Sequence, residues 1–278
     1  MDSAAAVTDG VAADFVAMTF NIRTDRGLDG RNSWWFRRRA TVAAIRAVAP
    51  DIAGLQEVRR LQRRYLVAEL PEYELVSAGR RSGRKRGEHC PVLVSRKRFA
   101  VEDWDVRRFR GGRRGRIATI VRLVDRGSGE RLGAVSTHFD HRSAAARNRS
   151  AAALALWVRE TPGPWVVMGD LNATAVDPSV QTMLSAGLRD TLGHLGPRGA
   201  GVATAHAWTG RVDGARIDHI LVTGDVEVVE ARIVRDRPGG RLPSDHWPVV
   251  ARLRLRSAAS GARPRARPRT HPRARPGR

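Results

Sequence analysis

Two short runs gather side chains able to do acid–base chemistry. Val166-Val-Met-Gly-Asp-Leu-Asn172 puts a carboxylate and a carboxamide at the end of an apolar run, and Ser244-Asp-His-Trp-Pro248 adds a second carboxylate and a histidine. Side chains alternate with period two along a strand, so Asp170 and Asn172 share a face if the strand continues through them. His246 brings the one common side chain that titrates near neutral pH. Glu57, in Leu55-Gln-Glu-Val58, and Asn21, in Thr19-Phe-Asn-Ile22, extend the set. Dispersed oxygen ligands with a histidine suit a hard divalent cation and hydrolysis of a phosphoester. Each piece alone has a plainer reading. Glu57 is also what a surface glutamate opening a helix looks like, and Gly169-Asp-Leu-Asn172 what an Asx-rich turn looks like.

The elements that must position these groups can be read from apolar runs and helical spacing. Asp14 to Ile22 reads as a strand and Ser33 to Val48 as a helix that Asn32 or Ser33 can cap and Pro50 ends. Asp51 to Val58 is a second strand, Leu61 to Leu70 a short helix, and Pro91 to Ser95 another strand. Arg116 to Val124 and Arg131 to Phe139 alternate as strands do, with Arg126-Gly-Ser-Gly129 as the hairpin turn between them. Ser143 to Arg159 is a helix, Trp165 to Gly169 a strand and Pro178 to Ala186 a helix, and Ile217 to Val222 and Val249 to Leu255 close the pattern. Strands and helices interleaved in this way predict a layered α/β fold. Arginine- and glycine-rich stretches at 80–86 and 107–116 read as loops.

Six motifs occur in order: Thr19-Phe-Asn21, Leu55-Gln-Glu-Val58, Ser136-Thr-His-Phe-Asp-His141, Gly169-Asp-Leu-Asn172, Arg216-Ile-Asp-His-Ile-Leu221 and Ser244-Asp-His246. Together they resemble the endonuclease/exonuclease/phosphatase superfamily of metal-dependent hydrolases, from about Phe15 to about Leu255. The resemblance implies a four-layer αββα sandwich of two mixed β-sheets, DNase I-like, and a Mg²⁺ or Mn²⁺ cofactor. It implies that Glu57 is the principal metal ligand and that Asn21, beside it, helps to hold the metal. Asp170 then activates or aligns the nucleophile, Asp218 holds His246, and His138 donates to the phosphate. The residues themselves add Asn172 as an orienting group and Asp245 as a further contributor to the metal shell. His219, next to Asp218 on one strand, faces the other way and reads as structural. Asp140 shares a face with His138 if that strand continues, although Asp140 and His141 equally suit a cap for the following helix. Glu88, in Gly87-Glu-His-Cys-Pro91, and His206, in Thr204-Ala-His-Ala-Trp-Thr-Gly210, match family segments near the substrate, and His206 equally suits a loop histidine with no site role.

Two departures matter. Arg23 stands where many nuclease members carry an acidic residue, and neither Tyr65 nor Tyr73 lies where those members place a phosphate-touching tyrosine. The resemblance therefore leans toward the bacterial branch with Thr-His-Phe-Asp-His, which acts on diverse phosphoesters. A nuclease, and a non-catalytic nucleic-acid-binding protein on the same fold, are the alternatives.

The composition bounds the rest. The 278 residues carry a net charge of +22, and about seven of the positive charges lie after Ser257, leaving a body near +15. The excess is nearly all arginine, amid abundant alanine and glycine, as a GC-rich genome produces. It supports an anionic substrate without naming one, with nucleic acid as a further candidate partner. Residues 1–13 read as a loose leader, 14–256 as the domain, and 257–278 as a disordered Arg/Pro-rich tail, either inert or an electrostatic arm. No run is long and apolar enough to span a membrane. The N-terminus lacks a signal-peptide pattern, and the single cysteine, Cys90, reads as a small core residue. These features predict a cytoplasmic monomer.

Overall fold

The computed structural model describes residues 13–80, 87–109 and 115–256. The expected tail, most of the leader and the central parts of both arginine-rich loops lie outside the described residues. The strands are β1 (Phe15–Asn21), β2 (Ile52–Gln56), β3 (Tyr73–Val76), β4 (Val92–Ser95), β5 (Phe99–Phe109), β6 (Arg116–Asp125), β7 (Arg131–His138), β8 (Trp165–Asp170), β9 (Arg189–Asp190), β10 (Arg198–Gly199), β11 (Gly214–Ala215), β12 (Asp218–Val222), β13 (Val226–Ile233) and β14 (Val249–Leu255). The helices are α1 (Trp34–Val48), α2 (Arg60–Glu69), α3 (Ala144–Glu160) and α4 (Pro178–Ser185).

Two six-stranded sheets carry the molecule, in the orders β13-β14-β1-β2-β4-β3 and β5-β6-β7-β8-β12-β9. Both are mixed: β1 pairs parallel with β2 and β7 with β8, and the other neighbours are antiparallel. The period-two alternation of the central strands sorts their side chains into separate cores. Phe15 and Ala17 of β1 face the inter-sheet core with Ile52, Met168 and Ile220, whereas Met18 and Phe20 face α1 and α2 among Val42, Ile45 and Leu66. On the second sheet Val166 and Met168 point inward, and Trp165 and Val167 point outward to Leu154 and Val180 of α3 and α4. Apolar runs buried on both faces thus give helix, sheet, sheet, helix: the four-layer αββα sandwich.

Helix limits follow local chemistry. Ser143 caps α3 by accepting the Ala146 N–H at 3.2 Å, a contact of the N-cap type. Ser33 takes the corresponding place at α1 but makes no such bond, and α1 ends as Ala49 turns left-handed before Pro50.

All four edge strands, β3, β5, β9 and β13, escape the apolar pattern. Each has one neighbour and an open flank, so charge on it is tolerated and guards against edge-to-edge association. Along β5 the run Glu102-Asp-Trp-Asp105 is mostly exposed. Arg107 and Arg108, expected in a loop, belong to this strand and pair with Ala118 and Ile117.

The two sheets approach most closely beneath the functional end. A side chain at Gly54 would sit 2.7 Å from Met168 Cβ on the opposite sheet, so only glycine lets β2 lie this near β8. Beside it Ser136 Oγ donates to the Leu55 carbonyl at 3.1 Å, tying β7 to β2 across the core.

Candidate active site

The chemistry-bearing residues converge at one end of both sheets. Asn21 closes β1 beside Gln56, His138 closes β7 beside Asp170, and Asp218 opens the antiparallel β12 opposite Asp170. Glu57 follows β2, and Asp245 and His246 lie in the segment leading into β14. A cavity of about 550 Å³ opens here, lined by Glu57, Glu88, His138, Asp140, Asp170, Asn172, Asp245 and His246 together with Arg23, Thr24, Arg80, Arg116, His141, Arg142 and Ser143.

The backbone is strained where it leaves the strands. Arg23, Glu57 and Asn172 have φ of 54, 62 and 49°, a left-handed conformation that costs non-glycine residues roughly 1–3 kcal/mol. The turn at Glu57 ends β2 at Gln56, short of the expected Val58, and β8 runs one residue past the expected Gly169 to Asp170 and does not continue to Asn172. Asn172 reaches the pocket by its left-handed turn and not by period-two alternation. Its backbone N–H donates to Asp170 Oδ1 at 2.9 Å, and its side-chain amide to the Phe139 carbonyl at 3.2 Å. Nor does β7 continue to Asp140, whose Oδ1 accepts the Arg142 and Ser143 N–H groups at 2.9 Å each. The capping geometry and a place in the pocket are both present there.

Asp170 is the hub. Asn21 Nδ2 donates to its Oδ2 at 2.9 Å, and His138 Nε2 and His246 Nε2 lie 3.6 and 4.0 Å from the same oxygen. Burial, reinforced by the nearby charge of Asp218, pushes the Asp170 carboxyl up to about 7. His246 Nδ1 meets Asp218 Oδ2 at 2.9 Å. Burial alone would lower this histidine, but the Asp218, Asp170 and Asp245 carboxylates outweigh it and hold the imidazolium well above the ordinary range. His138 is driven the other way, well below its usual value, by burial and then by Arg116 and His246. The pair is thus divided into a cationic His246 and a neutral His138, which offers a hydrogen bond rather than a charge.

Asn21 sits between two carboxylates. Its Nδ2 donates to Glu57 Oε1 at 3.2 Å as well as to Asp170, and its Oδ1 accepts the Arg23 N–H at 2.9 Å. With acceptors on one side and a donor on the other, the amide bridges Glu57 and Asp170. Glu57 Oε2 accepts the Thr24 N–H at 2.9 Å, and no arginine, lysine or histidine among the described residues comes within ion-pair distance of this carboxylate. Asp245 accepts Ser244 Oγ at 3.2 Å and lies 3.7 Å from Arg23, with its carboxyl raised chiefly by burial. Half-buried carboxylates held mostly by neutral donors fit a hard divalent cation. A tight group of Asp170, Asp218 and His246, with ligand atoms within 4.8 Å of one another, is a second candidate. It is the poorer one, because His246, held by Asp218 Oδ2 as an imidazolium, has no lone pair to give.

His206 is corrected. It is fully buried, stacks on Trp247 with ring centroids 4.3 Å apart, accepts the Gly210 N–H at 3.3 Å and does not line the cavity, so it cannot touch substrate. His219 is turned from the site, between Asp190 (3.1 Å) and the Ala173 carbonyl (2.9 Å). Cys90 is buried, and burial pushes its thiol up to about 12. Tyr65 and Tyr73 are absent from the lining.

Sequence reasoning missed Arg80, Arg116, His141 and Arg142 as pocket residues, and Arg37 behind it. Arg116 Nη2 bonds His141 Nδ1 at 3.0 Å, and its Nε lies 3.6 Å from Asp140 Oδ2. Arg37 is buried, with its guanidinium donating to four main-chain carbonyls, Asn32 (2.9 Å), Ile22 (2.6 Å), Pro243 (3.1 Å) and Arg23 (2.8 Å), and at 3.5 Å to Thr41 Oγ1. These carbonyls flank Asn21 and Ser244, so one side chain ties together the two segments that carry Asn21, Asp245 and His246. The arginines are so common in this chain that none stands out; only the helical spacing from Trp34 to Thr41 marks Arg37 as inward-facing.

No helix of the described residues is long and apolar enough to cross a membrane. A model of the Endonuclease/Exonuclease/phosphatase family matches residues 18–246. No curated protein matches the chain. Among solved structures, an endonuclease/exonuclease/phosphatase from Bacteroides vulgatus is 33% identical, with 87% of this chain and 99% of that one covered at a TM-score of 0.79. A mannosyl-6-phosphatase from Bacteroides thetaiotaomicron is 23% identical, with 86% and 99% covered at 0.79. D. rerio TDP2, complexed with a single-strand DNA product, is 18% identical, with 87% and 100% covered at 0.73. The last two are likenesses of fold. With its motif order, the layered architecture and the matched span, the chain belongs to the endonuclease/exonuclease/phosphatase family.

Proposed function

We propose that the protein is a divalent-metal-dependent phosphoester hydrolase in which Asp170 serves the attacking water and His246 the phosphoryl group. The observation that carries this reading is the opposed pair at the hub: a carboxyl raised toward neutrality beside an imidazolium locked by Asp218. A base is most effective when its pKa lies near the working pH, and a fixed cation helps most where charge develops. Glu57, with Asp245, is the set we assign to Mg²⁺ or Mn²⁺. When bound there, the ion supplies Lewis-acid polarisation of the phosphoryl oxygen and steadies the leaving oxygen.

The remaining work falls to the side chains. Asp170 accepts a proton from water as the water oxygen forms its bond to phosphorus and the ester P–O bond breaks. The departing alkoxide takes a proton from solvent. Asn21 and the Asn172 N–H fix the orientation of Asp170. His246 balances the charge on the non-bridging oxygens, and neutral His138 donates one hydrogen bond to them.

Turnover of p-nitrophenyl phosphate and bis(p-nitrophenyl) phosphate with Mg²⁺ or Mn²⁺, and its loss in EDTA, tests the reading. Equal turnover in EDTA would overturn it. A nuclease is the second reading, supported by the exposed Arg142 at the mouth and the basic body. Metal-dependent nicking of plasmid DNA, lost in His246→Ala, is its signature. DNA affinity that falls steeply with salt and no cleavage would instead mark a binding protein.

A further inference from the structure

The first turns of α1 and α2 leave large apolar side chains open to solvent among the described residues. Trp35 and Phe36 of α1 are 63 and 60% exposed, and Leu61 of α2 is 51% exposed. Leu28 is wholly exposed on the loop that leads from Arg23 to α1. Helical spacing explains the outward pair: Trp34, Arg37 and Thr41 take the buried face of α1, which turns positions 35, 36 and 39 to solvent. The two helices share one surface, since the Arg38 guanidinium is stacked between the rings of Trp35 (4.9 Å) and Tyr65 (5.0 Å). Leu61 lies one turn before Tyr65 on the same side of α2.

The charge around these side chains has one sign. Arg26, Arg31, Arg39, Arg60 and Arg64 are exposed and make no ion pair among the described residues. Each carboxylate from residue 24 to residue 68 is engaged elsewhere: Asp25 with Arg59 (3.4 Å), Asp29 with Arg23 (3.1 Å), Asp51 with the Val16 N–H (2.8 Å) and Glu57 at the cavity. A surface that only meets water mixes both signs. Unpaired arginine beside tryptophan, phenylalanine and leucine is the make-up of a surface that rests on anionic lipid.

Other occupants fit less well. A second copy of this face would set arginine against arginine, and the arginine-rich segment after Ser257 has no acidic residue to offer it. Single-stranded nucleic acid uses aromatic rings as stacking platforms. Here Arg38 covers one face of Trp35, and Leu28 and Leu61 have no ring, whereas acyl chains accommodate both. The surface also borders the cavity. Arg37 Nη2 of α1 and Gln62 Nε2 of α2 both donate to the Arg23 carbonyl, at 2.8 and 2.7 Å, and Arg23 lines the cavity.

We propose that the first turns of α1 and α2, with the Leu28 loop, form a docking surface for an anionic lipid bilayer. Trp35, Phe36, Leu28 and Leu61 enter the boundary between headgroups and acyl chains, and the surrounding arginines pair with lipid phosphates. One wall of the cavity is then held close to the bilayer.

The test is flotation of the full chain with vesicles of phosphatidylcholine alone and of phosphatidylcholine mixed with phosphatidylglycerol. Binding to the anionic vesicles is expected to exceed binding to the neutral ones by about tenfold or more, the scale of several arginines drawn to a charged surface. In Trp35→Ser/Phe36→Ser the apparent affinity for anionic vesicles is expected to fall about tenfold or more, as two rings no longer leave water. Arg39→Glu/Arg64→Glu is expected to lower it by a similar factor of about ten. All four side chains face solvent, so both variants should keep the wild-type Tm by circular dichroism. The aromatic variant separates this face from the basic tail, whose attraction to vesicles it leaves intact. No binding to anionic vesicles, equal binding to neutral ones, or binding unchanged in either folded variant would overturn the proposal. So would a single-stranded oligonucleotide whose affinity falls about tenfold in Trp35→Ser/Phe36→Ser while vesicle binding does not change, since the face would then be a stacking platform for bases.

Discussion

Arg37 offers a test of how the site is held. Its guanidinium is buried between Trp34 and Trp208, 5.3 Å from each ring, and burial lowers it to about 10. Arg37→Met keeps most of the volume and removes the donors. Two of the four carbonyls keep a second partner: Gln62 Nε2 donates to Arg23 O at 2.7 Å, and Thr41 Oγ1 to Pro243 O at 2.7 Å. The Ile22 and Asn32 carbonyls lose the donor they have here, at about 1–3 kcal/mol each. Removing a charge buried without a carboxylate partner returns part of this, because desolvating an ion costs several kcal/mol. The net expectation is a loss of about 2–4 kcal/mol, or roughly 5–12 °C in Tm for a domain of this size. Thermal unfolding by circular dichroism reads the first number. Turnover at 20 °C, where the variant is still folded, reads the second, and kcat/KM is expected to fall more than about tenfold because Asn21 and His246 lose their common tether. Arg37→Lys should recover part of the stability and little of the activity, since an ammonium cannot span four carbonyls. A Tm within 2 °C of wild type with unchanged kcat/KM would refute the tethering argument.

Asp218→Asn removes the charge that outweighs burial at His246. The imidazolium form is lost as pH rises through the histidine pKa, so lowering that pKa moves the alkaline limb of the activity profile to lower pH. The variant should lose more activity at pH 8 than at pH 6, by about 10- to 100-fold if the charged hydrogen bond contributes about 1.5–3 kcal/mol; an unshifted limb would detach Asp218 from His246. Asp170 has its folded pKa raised to about 7 from an ordinary 3.8, so ionising it costs stability that is lost as pH rises between those values. A bound cation offsets that loss, and the Mg²⁺-induced rise in Tm should be larger at pH 8 than at pH 5.5; a flat or reversed dependence would count against the acidic site. Cys90, buried and with its thiol pushed up to about 12, should resist iodoacetamide in the native protein at pH 8 and react on unfolding; rapid native labelling would contradict its burial.

The sandwich was legible where strands are covered on both faces. Val166-Val-Met168 and Ile52-Ala-Gly-Leu55 are continuous apolar runs because each side of the strand meets a core. The four edge strands were not legible, because half of each faces solvent and carries charge. Charged residues such as Asp170 and His246 stood out because a charge abutting an apolar run needs a reason. Their mutual geometry did not, since it depends on left-handed turns at Glu57 and Asn172 that alternation cannot foresee. His206 lies in a segment resembling a family loop and is nevertheless walled off by Trp247, a matter of packing. Arg116 was placed where the basic loop gives way to a strand; that its side chain turns toward Asp140 was not legible.

The most direct test of the central claim is metal-dependent ester cleavage by the wild type beside Glu57→Gln and His246→Ala, each first shown by circular dichroism to be folded. The account predicts Mg²⁺- or Mn²⁺-dependent turnover in the wild type and a loss of at least about a thousandfold in both variants. A folded variant with turnover near that of the wild type would remove its residue from the mechanism, and with it the assignment of the metal side or the phosphoryl side of the site.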